Sequence, residues 1–213
     1  MGIRERKKRE KERRRQQIIV AAKRMFSKKG FNRTTMEDIA SEAELSPGTL
    51  YLYFKNKEEL YASLSLRILQ YLLMRVEHVN DMESDDPEEK LSALSDAMYD
   101  IYQFDSMTIV NMFHLQSSET MKNLSTDLLK EIDSLFRRSM DIIAEIFAQG
   151  SRRGAFRDLD PGTLADIFWS CFSGVVLLAT SKQTAHTDRD GLKTRLDEAF
   201  DIFRRGISTP APA

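Results

Sequence analysis

Thr34-Thr35-Met36-Glu37-Asp38-Ile39-Ala40, and after a short gap Ser46-Pro47-Gly48-Thr49-Leu50-Tyr51-Leu52-Tyr53-Phe54-Lys55-Asn56-Lys57-Glu58-Glu59-Leu60, is the stretch whose reading decides the fold. Its junctions are marked by capping chemistry. Thr35 caps a helix that begins at Met36, and Asp38, three residues on, answers the open amide. Ile39, Ala40 and Ala43 form the apolar stripe of that helix. Ser46 caps the next helix, and Pro47 takes its first position, where a missing amide costs nothing. That second helix is very short, about 47–54. Asn56 caps a third, with Glu59 three residues later. Two short helices across a tight turn form a helix-turn-helix, the unit that delivers its second helix to the DNA major groove.

Charge agrees with that reading. The chain of 213 residues has a net charge of −1, but the two parts differ. Residues 1–57 hold 16 Lys or Arg against 7 Asp or Glu, and residues 58–213 hold 16 against 26. A basic head on an acidic body is the footprint of a phosphate-binding module joined to a part that avoids DNA. The basic run at 4–15 is either an additional phosphate or minor-groove contact or a solvated extension.

Composition bounds the remainder. With 41% hydrophobic residues, only 9 Gly and 5 Pro, and no alternating β-branched run, the chain reads as all-α. A single cysteine, Cys171, forms no internal disulfide and fits a reducing cytoplasm. The longest uncharged helical run, 167–181, is shorter than the roughly 20 residues of a membrane span, so no membrane partner is expected. The histidines, His78, His114 and His186, are scattered, and no phosphate-cradling glycine loop, metal-ligand cluster or nucleophile motif is present, so neither catalysis, a cofactor nor a metal is implied.

Helical periodicity places a first helix at about 4–29, ended by Gly30 as a left-handed cap, with Ile18, Ile19, Ala22, Met25 and Phe26 inside. A long helix follows from Lys57 to about Val79, then one opened by Asp86 and Pro87 and running to about Phe104. An irregular region, 105–122, should hold a short helix and a turn. Further helices are expected at 123–153, stopped by Gly154, at 161–182, opened by Asp160 and Pro161, and at 192–205, after a loop at 183–190. The expected domains are a helix-turn-helix head at 1–56, a helical body at 57–206 and a disordered tail at 207–213.

The Phe26–Gly30–Phe31 ending of the first helix, the 34–40 segment and the 48–60 segment together resemble the TetR family of bacterial transcriptional regulators. The motif spans about 45 residues, and the remainder matches in helix number and order. The resemblance implies about nine helices, three in a DNA-binding head and six in a body that dimerises through the last two and often encloses a small-molecule pocket.

In the head, Leu50 and Phe54, four apart, should point into the core with Phe26 and Ile39. Thr49, Leu52 and Tyr53 then face outward with Tyr51 at the edge. The residues expected on DNA are Thr35, Ser46, Pro47, Gly48, Thr49, Tyr51, Leu52, Tyr53 and Lys57. Tyr51 and Lys57 match family positions that contact phosphate. Leu52 stands where relatives often carry a polar or aromatic side chain, and a leucine can touch a thymine methyl but reads no donor pattern.

One such head reads too few bases, and two related by a two-fold axis read a palindrome. A homodimer joint is therefore expected on Leu164, Phe168, Cys171, Val175 and Leu178, with Ser170 and Gly174 permitting close approach, and on Leu196, Phe200 and Phe203. The same stripes also fit burial within one protomer. Tyr71, Met98, Tyr102, Met107, Phe113, His114, Phe136, Met140 and Trp169 are candidates to line an apolar effector pocket, although any one of them more readily suits an ordinary core. The expected function is a dimeric repressor released from double-stranded operator DNA by a small hydrophobic ligand. The alternatives are a regulator without a ligand, gated by a partner, or an activator, and remotely a helical enzyme.

Overall fold

Thr35 Oγ1 accepts the amide of Asp38, Ser46 Oγ that of Thr49, Asn56 Oδ1 that of Glu59 and Asp160 Oδ2 that of Thr163. Each of these short-range bonds satisfies an amide that the first helical turn leaves open, so the helices begin where the capping residues stand. A computed structural model describes residues 2–116, 124–181 and 189–209. These form α1 (Ile3–Lys29), α2 (Met36–Glu42), α3 (Pro47–Tyr51), α4 (Lys57–Asn80), α5 (Pro87–Gln116), α6 (Thr126–Arg152), α7 (Pro161–Ser181) and α8 (Arg189–Ile207). α5 is two helices in one, broken at Asp105, whose φ of −161° and ψ of 75° leave the helical region. The chain is all-α, a helix-turn-helix head followed by a helical bundle, with one isolated β-bridge, Phe156 to Ser208, among the described residues.

The differences from expectation have local causes. α3 stops at Tyr51, with Leu52 as its C-cap, because the amides of Tyr53 and Phe54 both turn back to the Leu50 carbonyl. Instead of a turn at 105, α5 resumes at once. Asp105 Oδ1 accepts the Thr108 amide and Oδ2 the Thr108 hydroxyl, so the residue that ends one helix caps the next. Gly30 has a positive φ of 77° but an extended ψ of 159°, so it ends α1 without the left-handed cap expected, whereas Gly154 at φ 74° follows α6 as anticipated. Arg189 and Asp190 belong to α8, and the remainder of the loop expected at 183–190 lies outside the described residues, as does 210–213 of the tail. Ser208 and Thr209 are ordered: the Thr209 amide donates to the Ala155 carbonyl and the Ser208 hydroxyl to Glu88.

Two apolar clusters organise the chain. The head cluster gathers Ile18, Ile19, Ala22 and Phe26 of α1, Ile39 of α2, Leu50 and Phe54, and runs on to Leu60, Tyr61 and Leu64 of α4. The body cluster begins one turn later on the same helix, at Ile68, and takes in α5 to α8. α4 is thus shared: its first two turns belong to the head and the rest to the bundle. In the body, Phe168 stacks on Phe200 at 4.5 Å and meets Phe147 and Phe203 edge-on. A Cβ at Gly150 would stand 2.0 Å from the Phe156 ring, so only glycine lets that ring seat against α6. The Arg157 amide donates to the Ile207 carbonyl at 2.7 Å, tying the end of α8 to the α6–α7 connection.

α7 is apolar enough by composition to cross a membrane. Its buried Leu164, Phe168, Phe172 and Val176 face the bundle core. The structure corrects the expectation for five dimer-joint residues. Leu164, Phe168, Leu196, Phe200 and Phe203 are buried in the protomer's own core, because one face of each helix is needed to close the bundle. Cys171 and Val175 are half-buried and Leu178 is exposed.

Candidate nucleic-acid interface

The α2–α3 turn sets the angle at which α3 is presented. Glu44 adopts φ 55°, its amide donates to the Ser41 carbonyl and the Leu45 amide to that of Ala40. These paired bonds past the end of α2 are the Schellman arrangement, which needs a left-handed residue at that point. Leu50 and Phe54 then pin α3 to the head core, each burial contributing about 2 kcal/mol.

With those two side chains inward, the outer face of α3 is open. Leu52 is 80% exposed and Tyr51 49% exposed, and Tyr53 is half-buried against the head core. Pro47 and Gly48 are exposed, and the position of a Cβ on Gly48 meets only Ser46 Oγ, at 3.9 Å. The Ser46 and Thr49 hydroxyls are 2.9 Å apart and bond to each other. The residues expected on DNA at 46–53 therefore form one continuous surface. A leucine this exposed does nothing for the fold.

Thr35 and Lys57 meet on the α1–α2 connection. Thr35 is exposed at the start of α2, its amide bonded to Asp38 Oδ2. Lys29 lies 2.6 Å from Asp38 Oδ1, and that bond, more than any other influence, holds the Asp38 carboxyl below its ordinary range. Lys57 does more than mark a helix start. Its ammonium donates to the carbonyls of Phe31, Asn32 and Thr34 at 3.1, 3.3 and 3.3 Å and stands 4.6 Å over the Phe31 ring. An ammonium has three donors. In this arrangement all are given to the backbone, so Lys57 offers a phosphate its charge and the helix dipole rather than a free hydrogen bond.

The joint between head and body carries residues that sequence reasoning missed. Lys23 Nζ of α1 lies 2.6 Å from Asp105 Oδ2 at the α5 break. Tyr61, edge-on to Phe26 and Phe31, donates its hydroxyl to the Thr108 carbonyl at 3.4 Å. Burial, with the charge of Asp105 nearby, pushes the Tyr61 phenol far above its ordinary range and keeps it a neutral donor. The Asp-x-x-Thr spacing of 105 and 108 was the available signal, a helix-start signature within a stretch that lacks clear periodicity. A cleft of about 290 Å³ opens here, lined by Lys23, Tyr61, Gln103, Phe104 and Asp105 among others.

Among the expected effector residues whose side chains are described, none lines that cleft. Met98 is fully buried in the body core, which corrects its assignment to a pocket wall. Tyr71 stacks on Phe104 at 4.3 Å, and Phe136 meets Trp169 edge-on at 5.3 Å. Tyr102 and Met140 are half-buried against the same core. The side chains of Met107, Phe113 and His114 lie outside the described residues. Among the described residues no group of His, Cys, Asp or Glu is placed to hold a metal ion.

Residues 18–64 match the family model described as bacterial regulatory proteins, tetR family. The chain is 28% identical over 121 residues to an uncharacterized HTH-type transcriptional regulator, YerO, of Bacillus subtilis, covering 55% of this chain and 42% of that protein. It is 28% identical over 137 residues to the HTH-type transcriptional repressor KstR2 of Mycobacterium tuberculosis, covering 64% of this chain and 66% of that one. The matched regions thus span less than two thirds of these relatives. The fatty acid degradation regulator FadR from Bacillus halodurans has the same fold, with a TM-score of 0.69 at 22% identity over 91% of this chain and 95% of that one.

Proposed function

We propose that this chain, whose residues 18–64 match the tetR family model, is a dimeric repressor that leaves a palindromic operator when a small hydrophobic ligand enters its body. The observation that carries the DNA part is Leu52. A leucine 80% exposed, on a five-residue helix pinned from behind by Leu50 and Phe54, has no structural use. Laid in a major groove, it meets thymine methyls, with Thr49 and Tyr53 beside it and Tyr51 at the rim on a phosphate. Ser46, Pro47 and Gly48 let the backbone at the start of α3 approach the duplex closely, while Thr35 and Lys57 face the phosphates of the neighbouring strand.

Two such heads require a partner copy. Ile167 and Leu178 on α7, 45% and 54% exposed, and Ile202 on α8, 72% exposed, lie outside the protomer core. Ser170 and Gly174 between them, with half-buried Cys171 and Val175, let two α7 helices approach closely. Those residues, rather than the five in the core, are the proposed joint. The proposed effector is apolar, held by half-buried Tyr71, Tyr102, Phe136 and Met140 together with Trp169. A fold shared with a fatty acid degradation regulator supports that choice. Its binding shifts the population toward a head spacing that no longer fits the operator, with α4 as the lever. The protein works in the cytoplasm, where its DNA is.

The test is selection of duplexes from a random library by the full chain, followed by binding of the enriched sequence. A palindrome bound by two protomers, with Leu52→Ala losing about tenfold in affinity at unchanged melting temperature, is the expected result. No enrichment would end the proposal.

A further inference from the structure

We propose that the N-terminal overhang of α1, residues 4–15, is a second nucleic-acid contact, an arm that lies along the phosphates flanking the segment read by α3. This rests on the DNA-reading role proposed above.

The helix shows it in its own periodicity. The inward face of α1 carries Phe26, Ala22, Ile19 and Ile18, all buried under α2–α4. Continued toward the N-terminus at the same three-to-four spacing, that face becomes Arg15, Lys11, Lys8 and Arg4, with Lys7 beside it. Apolar residues stop where the head stops covering the helix, and every position beyond is cationic. Glu5, Glu10 and Glu12 fall on the flanks and the back. A solvated helix would gain from alternating charges four apart. Such pairs occur off that face, Glu5 with Arg9 and Glu10 with Arg14, but along the inward face Arg4 faces Lys8 and Lys11 faces Arg15, pairs that destabilise an isolated helix. Arg4, Lys7, Lys8 and Lys11 are exposed and in no ion pair among the described residues. A polyanion relieves that repulsion.

Placement identifies which one. The Arg15 guanidinium stands 5.0 Å over the Phe54 ring, just past α3, and donates to Ser63 Oγ at 3.0 Å. Gln17 Nε2 donates to the Ala43 carbonyl in the α2–α3 turn at 2.9 Å. The arm therefore leaves the head beside the reading helix and not from the end at Lys29. Its 12 residues reach about 18 Å, enough to follow several phosphates beyond the groove. From Arg4 to Gln17 there is no apolar side chain, so the arm lacks the buried face by which a surface helix enters a lipid interface.

The test replaces Arg4, Lys8 and Lys11 by Gln, which keeps helix propensity and touches nothing in the head. Affinity for the duplex that the unmodified full chain selects is measured against salt. Loss of three phosphate contacts per protomer, six on a palindrome bound by two protomers, lowers the log–log slope by about 5.4, so between 50 and 200 mM salt the unmodified chain should weaken about 1,800-fold more than the variant. Trimming the duplex outside the selected segment should reproduce this loss in the unmodified chain and cost the variant nothing further. An unchanged slope overturns the arm while leaving the reading head standing, and so does a variant that loses binding to vesicles of anionic lipid but not to DNA. If the unmodified chain selects no duplex, the DNA-reading role itself falls and the arm with it.

Discussion

Lys23 of the head and Asp105 of the body form an ion pair of 2.6 Å, and Asp105 is the residue at which α5 breaks. One carboxylate thus serves two elements. Oδ1 caps the second half of α5 through the Thr108 amide, while Oδ2 takes Lys23 and the Thr108 hydroxyl. A rotation of the head strains the pair, and a change in the break moves the cap. Tyr61 to Thr108 is another bond across this seam.

Asp105→Asn keeps an oxygen for the cap and removes the charge. The pair is partly exposed, so the stability loss should be small, about 1 kcal/mol. The informative readout is local: amide exchange in 18–31 should accelerate while that in α6 to α8 is unchanged. Equal acceleration throughout would show that the pair only adds global stability.

Lys57→Ala should lower the melting temperature as well as DNA affinity, because three carbonyls of the α1–α2 connection lose their donor. A cost of about 1–2 kcal/mol is expected. Lys57→Met restores the stem over Phe31 without the ammonium and should recover only part of it. Thermal unfolding of both variants separates this clamp from a pure phosphate contact, for which stability would not change.

Glu44→Gly should stabilise the chain. A left-handed non-glycine residue costs about 1–2 kcal/mol, and the added freedom of glycine returns about 0.5–1 kcal/mol to the unfolded state. A net gain of roughly 0.5 kcal/mol is expected in urea unfolding, and Glu44→Val should move the midpoint the other way.

Asp38 governs an acid limb of head stability. Its folded carboxyl lies below the ordinary value, chiefly through Lys29. The stability it contributes is therefore present above the ordinary carboxylate range and is lost as pH falls through the folded value. Asp38→Asn should melt below the unmodified chain at pH 7, and the difference should close in strong acid. A difference that persists there would assign the effect to the cap at Thr35 rather than to charge.

Most helix starts were legible because capping is decided within three residues. Thr35, Ser46, Asn56 and Asp160 each answer an amide close by, whatever the remainder of the chain does. The inward side of α3 was legible for the same reason, since Leu50 and Phe54 share a face by spacing alone. The role of Lys57 was not, because the carbonyls it holds lie 23 to 26 residues earlier. Nor did the stripes of α7 and α8 say what they face. Periodicity finds an apolar side of a helix, but α7 carries large apolar residues on more than one side, and only packing shows that Phe168 closes the bundle while Leu178 is left exposed. Asp105 hid behind a stretch where one helix hands over to another without a gap.

The bonds from Arg157 to Ile207 and from Thr209 to Ala155, with the Phe156 ring seated where Gly150 has no side chain, weld the end of α6, the start of α7 and the end of α8 into a single block. That block is the stator of the molecule. In the ligand-released reading proposed above, the rotor would be α4 and the broken α5, which carry the contacts between body and head, so engineering a faster or slower response should begin there, with the welded corner left alone as the chassis.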